Sequence, residues 1–142
     1  SALELDPSQA FCDLGAGDGR MLLRVHGATC VGFELSPLQA LVGTLRLRFA
    51  RRPRTRLVWA NLHRQHLDRF DALYVWGTEY WVGTARFRES ISASMRPGAR
   101  LVSYGVPLDG VRPTRVDRSG TRCVYVYVHP FEAAPPAPAV AE

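Results

Sequence analysis

The segment Phe11-Cys12-Asp13-Leu14-Gly15-Ala16-Gly17-Asp18-Gly19-Arg20 constrains this chain more than any other. An apolar run leads into an acid, and three glycines then alternate with other residues. Residues 10–14 read as a short buried strand. Residues 15–19 must turn tightly, which glycine permits because it enters the left-handed backbone region without steric cost. Residues 19–26 are expected to form a helix with Met21, Leu22, Leu23 and Val25 on its apolar side. A strand, a glycine turn and a helix open a crossover unit, and crossover units build parallel sheets.

The rest of the chain continues the alternation. Residues 30–34 read as a second strand, and Ser36-Pro37 starts a helix: serine caps free amides and proline fits the first helical position. That helix is expected to run to about Arg52, with Leu38, Leu41, Val42, Leu45 and Phe49 near helical spacing and Pro53 closing it. Strands are expected at 56–60, at 70–76 (apolar, hence central) and at 99–105, with a helix over 84–95. After Pro107 no helix pattern returns. Residues 111–118 and 122–129 read as a hairpin turning at Arg118-Ser119-Gly120-Thr121. The predicted fold is α/β, a Rossmann-like, mostly parallel sheet flanked by helices with a C-terminal antiparallel hairpin. The domain is expected to span 1–130, and the Pro/Ala-rich residues 131–142 a disordered tail. A chain of 142 residues suits one such domain.

In an open parallel sheet, ligands sit beyond the carboxyl ends of the strands. Asp13, Gly15, Ala16, Gly17 and Gly19 fall there. Glu34, nineteen residues after Gly15 and at the end of the second strand, can accept hydrogen bonds from both hydroxyls of a ribose. Asn61, at the end of the third strand, can reach an adenine edge, with Leu62 packing on the ring. Leu35 and Trp76, next to strand ends, complete the candidate cofactor set. A dinucleotide loop usually reads GxGxxG and must admit a pyrophosphate. Here the loop reads GxGxG, and the carboxylate of Asp13 would repel one. It suits instead the ammonium of a methionine moiety, and acids nearby favour a sulfonium cation. The expected cofactor is therefore S-adenosyl-L-methionine.

These segments resemble the class I, seven-strand S-adenosylmethionine-dependent methyltransferases. FCDLGAGDGR is similar to their first motif, VGFELSP to their second, and SMRPGARLVSYG to the turn and strand that close the domain. DLGAGDGR, VGFELSPLQALV and FDALYVWG more narrowly resemble the small lysine methyltransferases that act on the ATP synthase c subunit and the adenine nucleotide translocase, and their prokaryotic relatives. Asn61 stands where that group has Asp. The resemblance implies methyl transfer to a protein side chain, lysine, as acceptor. RNA or a small molecule as acceptor, or a cofactor-binding module without activity, are the other readings. A nicotinamide dehydrogenase is disfavoured by GxGxG and by the terminal hairpin, and the absence of an NPPY-like motif argues against base amino groups.

The acceptor is expected at the loop after the fourth strand, GTEYWVG. Glu79 could hold or deprotonate an ammonium, and Tyr80 and Trp81 could wall a channel with their ring faces. The competing reading has Tyr80 and Trp81 packing on the next helix and Glu79 capping it. Cys12, Cys30 and Cys123 lie in apolar runs without metal-type spacing and read as reduced core thiols, which fits a cytoplasmic setting. No site for a metal is expected: His63 and His66 lack a third ligand. All eighteen basic residues are arginine, giving a net charge of +5. Arg46, Arg48, Arg51, Arg52, Arg54 and Arg56 form a dense run that reads as a solvated helix end, with contact to phosphates of nucleic acid as the alternative. No transmembrane segment is expected.

Overall fold

The computed structural model describes residues 5–138. Five parallel strands form most of one sheet: β1 Ala10–Leu14, β2 Thr29–Glu34, β3 Thr55–Trp59, β4 Ala72–Val75 and β5 Arg100–Tyr104. The hairpin β7 Arg115–Ser119 and β8 Arg122–Val128 adds to β5 in antiparallel fashion, giving the order β3-β2-β1-β4-β5-β8-β7. β4 is the middle strand of the seven, as its unbroken apolar run predicts. The mostly parallel sheet with a terminal antiparallel hairpin is the expected architecture.

Two helices follow from local chemistry. α1, Pro37–Phe49, is capped by Ser36, whose hydroxyl accepts from the Gln39 amide, with Pro37 in the first turn. It ends three residues earlier than expected, where Arg51 takes a φ of 50° and breaks the helical path. α2, Ala85–Ser94, is capped by Thr84, which accepts from the Phe87 amide. On the α2 side of the sheet, Leu14, Phe33, Leu73, Val75 and Leu101 pack with Phe87, Ile91 and Met95. On the α1 side, Phe11, Cys30 and Ala72 pack with Leu22, Ala40, Leu47 and Leu57. The three cysteines carry free thiols. Among the described residues, no helix is long and apolar enough to cross a membrane.

Two expectations need correction, and the direction of one helix face is new. The helix over 19–26 is absent; only a single 3-10 turn forms, at Leu22–Arg24. Gly19 and Gly27 both adopt positive φ (78° and 86°), and the seven residues between them cannot develop a helix worth nucleating. Leu22 and Val25 still enter the core from this turn. The apolar row of α1 does form a helix face, yet it faces outward. Ala40, Gly43 and Leu47 face the sheet, whereas Leu38, Leu41, Val42, Leu45 and Phe49 are exposed. Small residues face inward because α1 lies close to the sheet: a Cβ on Gly43 would stand 2.8 Å from Leu57 Cδ1. Finally, the segment expected to be a tail begins inside the fold. Glu132–Ala133 forms β9 and pairs with β6, Val111–Arg112, while the Phe131 ring packs on Tyr127 at a centroid distance of 6.0 Å. Residues 139–142 of that segment lie outside the described residues.

Candidate functional site

The sheet changes direction between β1 and β4, and the site is built at their carboxyl ends. Asp13 sits in β1 opposite Gly32 of β2 and Tyr74 of β4, on the α1 side. Only 3% of it is exposed. Burial, and then the charge of Glu34, carry its carboxyl up from 3.8 to about 7. Tyr74 beside it is raised to about 12, by burial and then by the Asp13 charge. A carboxyl in this state is poised to ionise when a cation arrives.

Beyond Asp13 the loop folds back across β2. The amides of Gly15 and Ala16 both donate to the Phe33 carbonyl, each at 2.9 Å. Gly15 and Gly17 take φ of 75° and 55°, which a side chain would resist. Glu34 then ties the loop to α1: Oε2 accepts from the Gly17 amide at 2.7 Å, and Oε1 from the Ser36 amide at 3.0 Å. Asp18 is held by Arg20 and Arg46, at 2.8 and 2.7 Å. With no helix after the loop, these contacts hold the loop in place.

Two cavities share Gly15. One, of about 300 Å³, is lined by Asp13, Ala16, Gly17, Gly15, Tyr74 and Trp76, together with Met21 and Gln39. The other, of about 250 Å³, is lined by Glu34, Leu35, Asn61, Leu62 and Trp81 with Gly15. Nine of the ten candidate cofactor residues thus line one cavity or the other. Gly19 does not; it packs beside α1, where a Cβ would lie 3.5 Å from both Gly43 Cα and Leu57 Cδ1. Asn61 caps the 3-10 turn Leu62–Arg64, its Oδ1 accepting from the His63 amide at 3.0 Å, which leaves its NH2 group and one lone pair of Oδ1 to read a ligand edge. Sequence reasoning passed over Tyr74 and Gln39. The alternation within the fourth strand could have found Tyr74, which shares the face of Ala72.

The three acceptor-side candidates do not converge. Trp81 lines the second cavity and rests on the loop: a Cβ on Gly15 would lie 3.0 Å from its Cη2. It also meets the Phe87 ring edge-to-face at 5.3 Å, so it packs on α2. Tyr80 is 85% exposed. Glu79 borders a separate cavity with Gly105, Pro107 and Asp109. His63 bonds Ser90 Oγ at 2.7 Å, and no group of three metal-type ligands occurs among the described residues.

Solved structures share this architecture. An RNA methyltransferase from Salinibacter ruber, in complex with S-adenosyl-L-homocysteine, superposes with a TM-score of 0.82 at 22% identity, covering 93% of this chain and 87% of that one. The fold is that of the class I methyltransferases. A SAM-dependent methyltransferase from Geobacter sulfurreducens, also with S-adenosyl-L-homocysteine, matches at 27% identity and a TM-score of 0.61, over 72% of this chain and 44% of its own. Geranyl diphosphate C-methyltransferase from Streptomyces coelicolor matches at 22% and 0.63, over 71% and 41%. The chain therefore spans less than half the length of the latter two. No family model and no curated protein matches it by sequence. Within the class I methyltransferase frame, the β1 loop, the end of β2 and the β4 loop bracket the switch point where open α/β sheets bind ligands.

Proposed function

We propose that this chain binds S-adenosyl-L-methionine across the two cavities that share Gly15 and transfers its methyl group to an amine of a protein side chain, a lysine. The buried Asp13, level with the glycine loop and 21 positions before Glu34, is the observation that carries the reading. A dinucleotide's pyrophosphate would meet that carboxyl, whereas an ammonium and a sulfonium are both stabilised by it. The residues fit the cofactor: Asp13 and Tyr74 offer oxygen acceptors at one end, and Glu34 offers two carboxylate oxygens midway. The Asn61 amide with Leu35 and Leu62 offers a polar edge and an apolar platform at the other end.

When bound, the cofactor supplies an activated methyl group. The protein's own work is placement, since holding a nucleophile in line replaces a rare collision with a prepared one. Asp13, ionised by the ammonium, would anchor the methionine end. Glu34 would share its carboxylate between the Gly17 and Ser36 amides and ribose hydroxyls. Trp76, 62% exposed and edge-to-face with Tyr104, stands by the Asp13 cavity and presents an aromatic wall that suits a cationic side chain. Tyr80, in the same loop, is the second exposed ring. RNA is the second reading for the acceptor, favoured by the extent of the likeness to the Salinibacter RNA methyltransferase.

Calorimetric titration tests the cofactor. Micromolar affinity for S-adenosylmethionine and S-adenosylhomocysteine is expected, with strong weakening in Glu34→Gln, in which one acceptor oxygen of the carboxylate becomes a donor. Binding of a nicotinamide dinucleotide instead would refute the reading. Transfer of labelled methyl to a lysate, separated into protein and RNA, then decides the acceptor.

A further inference from the structure

The outward face of α1 is unlike the surface of an ordinary helix. At 3.6 residues per turn, Leu38, Leu41, Val42, Leu45 and Phe49 fall within an arc of about 100°. Their exposures are 70%, 57%, 41%, 45% and 85%. At the start of the helix the stripe continues into Leu35 and Trp59, 67% and 66% exposed, which are joined by a 2.9 Å bond from Trp59 Nε1 to the Leu35 carbonyl. Together these side chains expose on the order of 700 Å² of largely apolar surface, beyond the largest patch that a typical soluble monomer carries. Their absence from the core was explained above: the sheet side of α1 takes small residues.

The charge around the stripe is one-sided. Between Glu34 and Asp68 the sequence holds seven arginines and no acid. At the C-terminal end of α1, Arg48, Arg51, Arg52 and Arg56 border a cavity of about 480 Å³ floored by Leu47 and Leu57. Among the described residues no carboxylate pairs with these four; Arg52 bonds the Leu23 carbonyl and the His26 ring.

We infer that α1 with the adjoining end of β3 is a docking surface for an anionic lipid bilayer. The Leu38–Phe49 stripe and Trp59 enter the boundary of the acyl layer, and the arginine-lined cavity receives lipid phosphate. An apolar helix face flanked by arginines and lying in the interface plane is the form such contacts take. A second copy of this chain fits poorly, because it would press arginines against arginines with no acid to pair. A folded partner helix would need a groove, and α1 is a ridge on the outer layer. RNA would use the arginines and could stack on Phe49, but would leave the aliphatic Leu38, Leu41, Val42 and Leu45 unmatched.

Vesicle flotation of the full chain tests the inference. The protein should float with phosphatidylcholine vesicles containing phosphatidylglycerol, and far less with phosphatidylcholine alone. The triple variant Leu38→Ser, Leu45→Ser, Phe49→Ser changes only exposed positions and should lower partitioning at least about tenfold, by the transfer free energy of the lost apolar groups. Each of Arg48→Ser, Arg51→Ser and Arg56→Ser should lower it about fivefold and flatten its salt dependence. Brominated acyl chains should quench tryptophan emission in the wild type and markedly less in Trp59→Phe. Absence of flotation, or partitioning unchanged in the stripe variant, would overturn the inference. So would a dimer that Leu45→Glu dissociates. An RNA affinity lost only in the arginine variants, with no vesicle binding, would assign the surface to nucleic acid.

Discussion

Asp13 is held at a cost that can be measured. In the unfolded chain its carboxyl titrates near 3.8; in the fold, burial and then Glu34 move it to about 7. Well below pH 3.8 both states are protonated and the group contributes no difference. As pH rises from there to about 7, the unfolded chain releases this proton and the folded chain keeps it, so stability falls. Above that the loss is constant, and the interval corresponds to about 4 kcal/mol at 1.4 kcal/mol per decade of proton activity. Asp13→Asn keeps the shape and removes the charge. Urea unfolding should find the variant more stable than wild type by about 2–4 kcal/mol near pH 8, with the gap closing toward about pH 4. The same substitution should nearly abolish cofactor affinity, and with it a proton release that makes wild-type affinity rise with pH up to about 7. Parallel stability curves for the two proteins, or a variant less stable near neutral pH, would refute this account of Asp13.

Two further substitutions probe the loop. Gly32→Ala would put a Cβ 2.6 Å from Ala16 Cβ and 2.8 Å from Leu22 Cδ1, which must displace the glycine loop. A stability loss of about 1–3 kcal/mol is expected by urea unfolding, together with weakened cofactor binding; a neutral effect on both would show that the loop is not packed as described. Trp81→Ala removes the indole from Gly15, Gly77 and Phe87 and should cost about 2–4 kcal/mol. Lost activity with unchanged stability would instead make Trp81 a residue of the acceptor channel.

What the sequence disclosed depended on whether a position's role is local. The strands were legible because apolar runs between turn residues have few other uses, and the Ser36-Pro37 and Thr84 starts follow from capping chemistry within three residues. The residues that line the two cavities sharing Gly15 were legible because glycines and acids at strand ends are rarely tolerated without a reason. The direction in which α1 faces was not legible. Both of its faces are apolar, and the choice between them turns on how closely Gly43 lets the helix approach Leu57, a contact with a strand that comes later in the chain. The loop residues Glu79, Tyr80 and Trp81 are adjacent in sequence, yet Glu79 borders a separate cavity beside Gly105, Tyr80 stands in open solvent, and Trp81 packs between Gly15 and α2. An irregular turn carries no periodicity from which their directions could be read.

The missing helix after β1 changes what Glu34 has to do. With a helix there, the loop would be held from its far end by a ladder of backbone bonds. Here the chain turns once at Leu22–Arg24 and enters β2, so the loop is anchored through the carboxylate of Glu34, the Phe33 carbonyl and the Asp18–Arg46 pair. Two of these three anchors lie at the end of β2, and the third reaches α1. In the proposed complex a ribose would share the Glu34 carboxylate with the Gly17 and Ser36 amides, which couples cofactor binding to loop position. Glu34→Gln should loosen the loop even without ligand. Faster amide exchange at Gly17 in that variant, with β1 and β4 unchanged, is the expected signature; unaltered exchange would mean that the backbone bonds to Phe33 hold the loop by themselves.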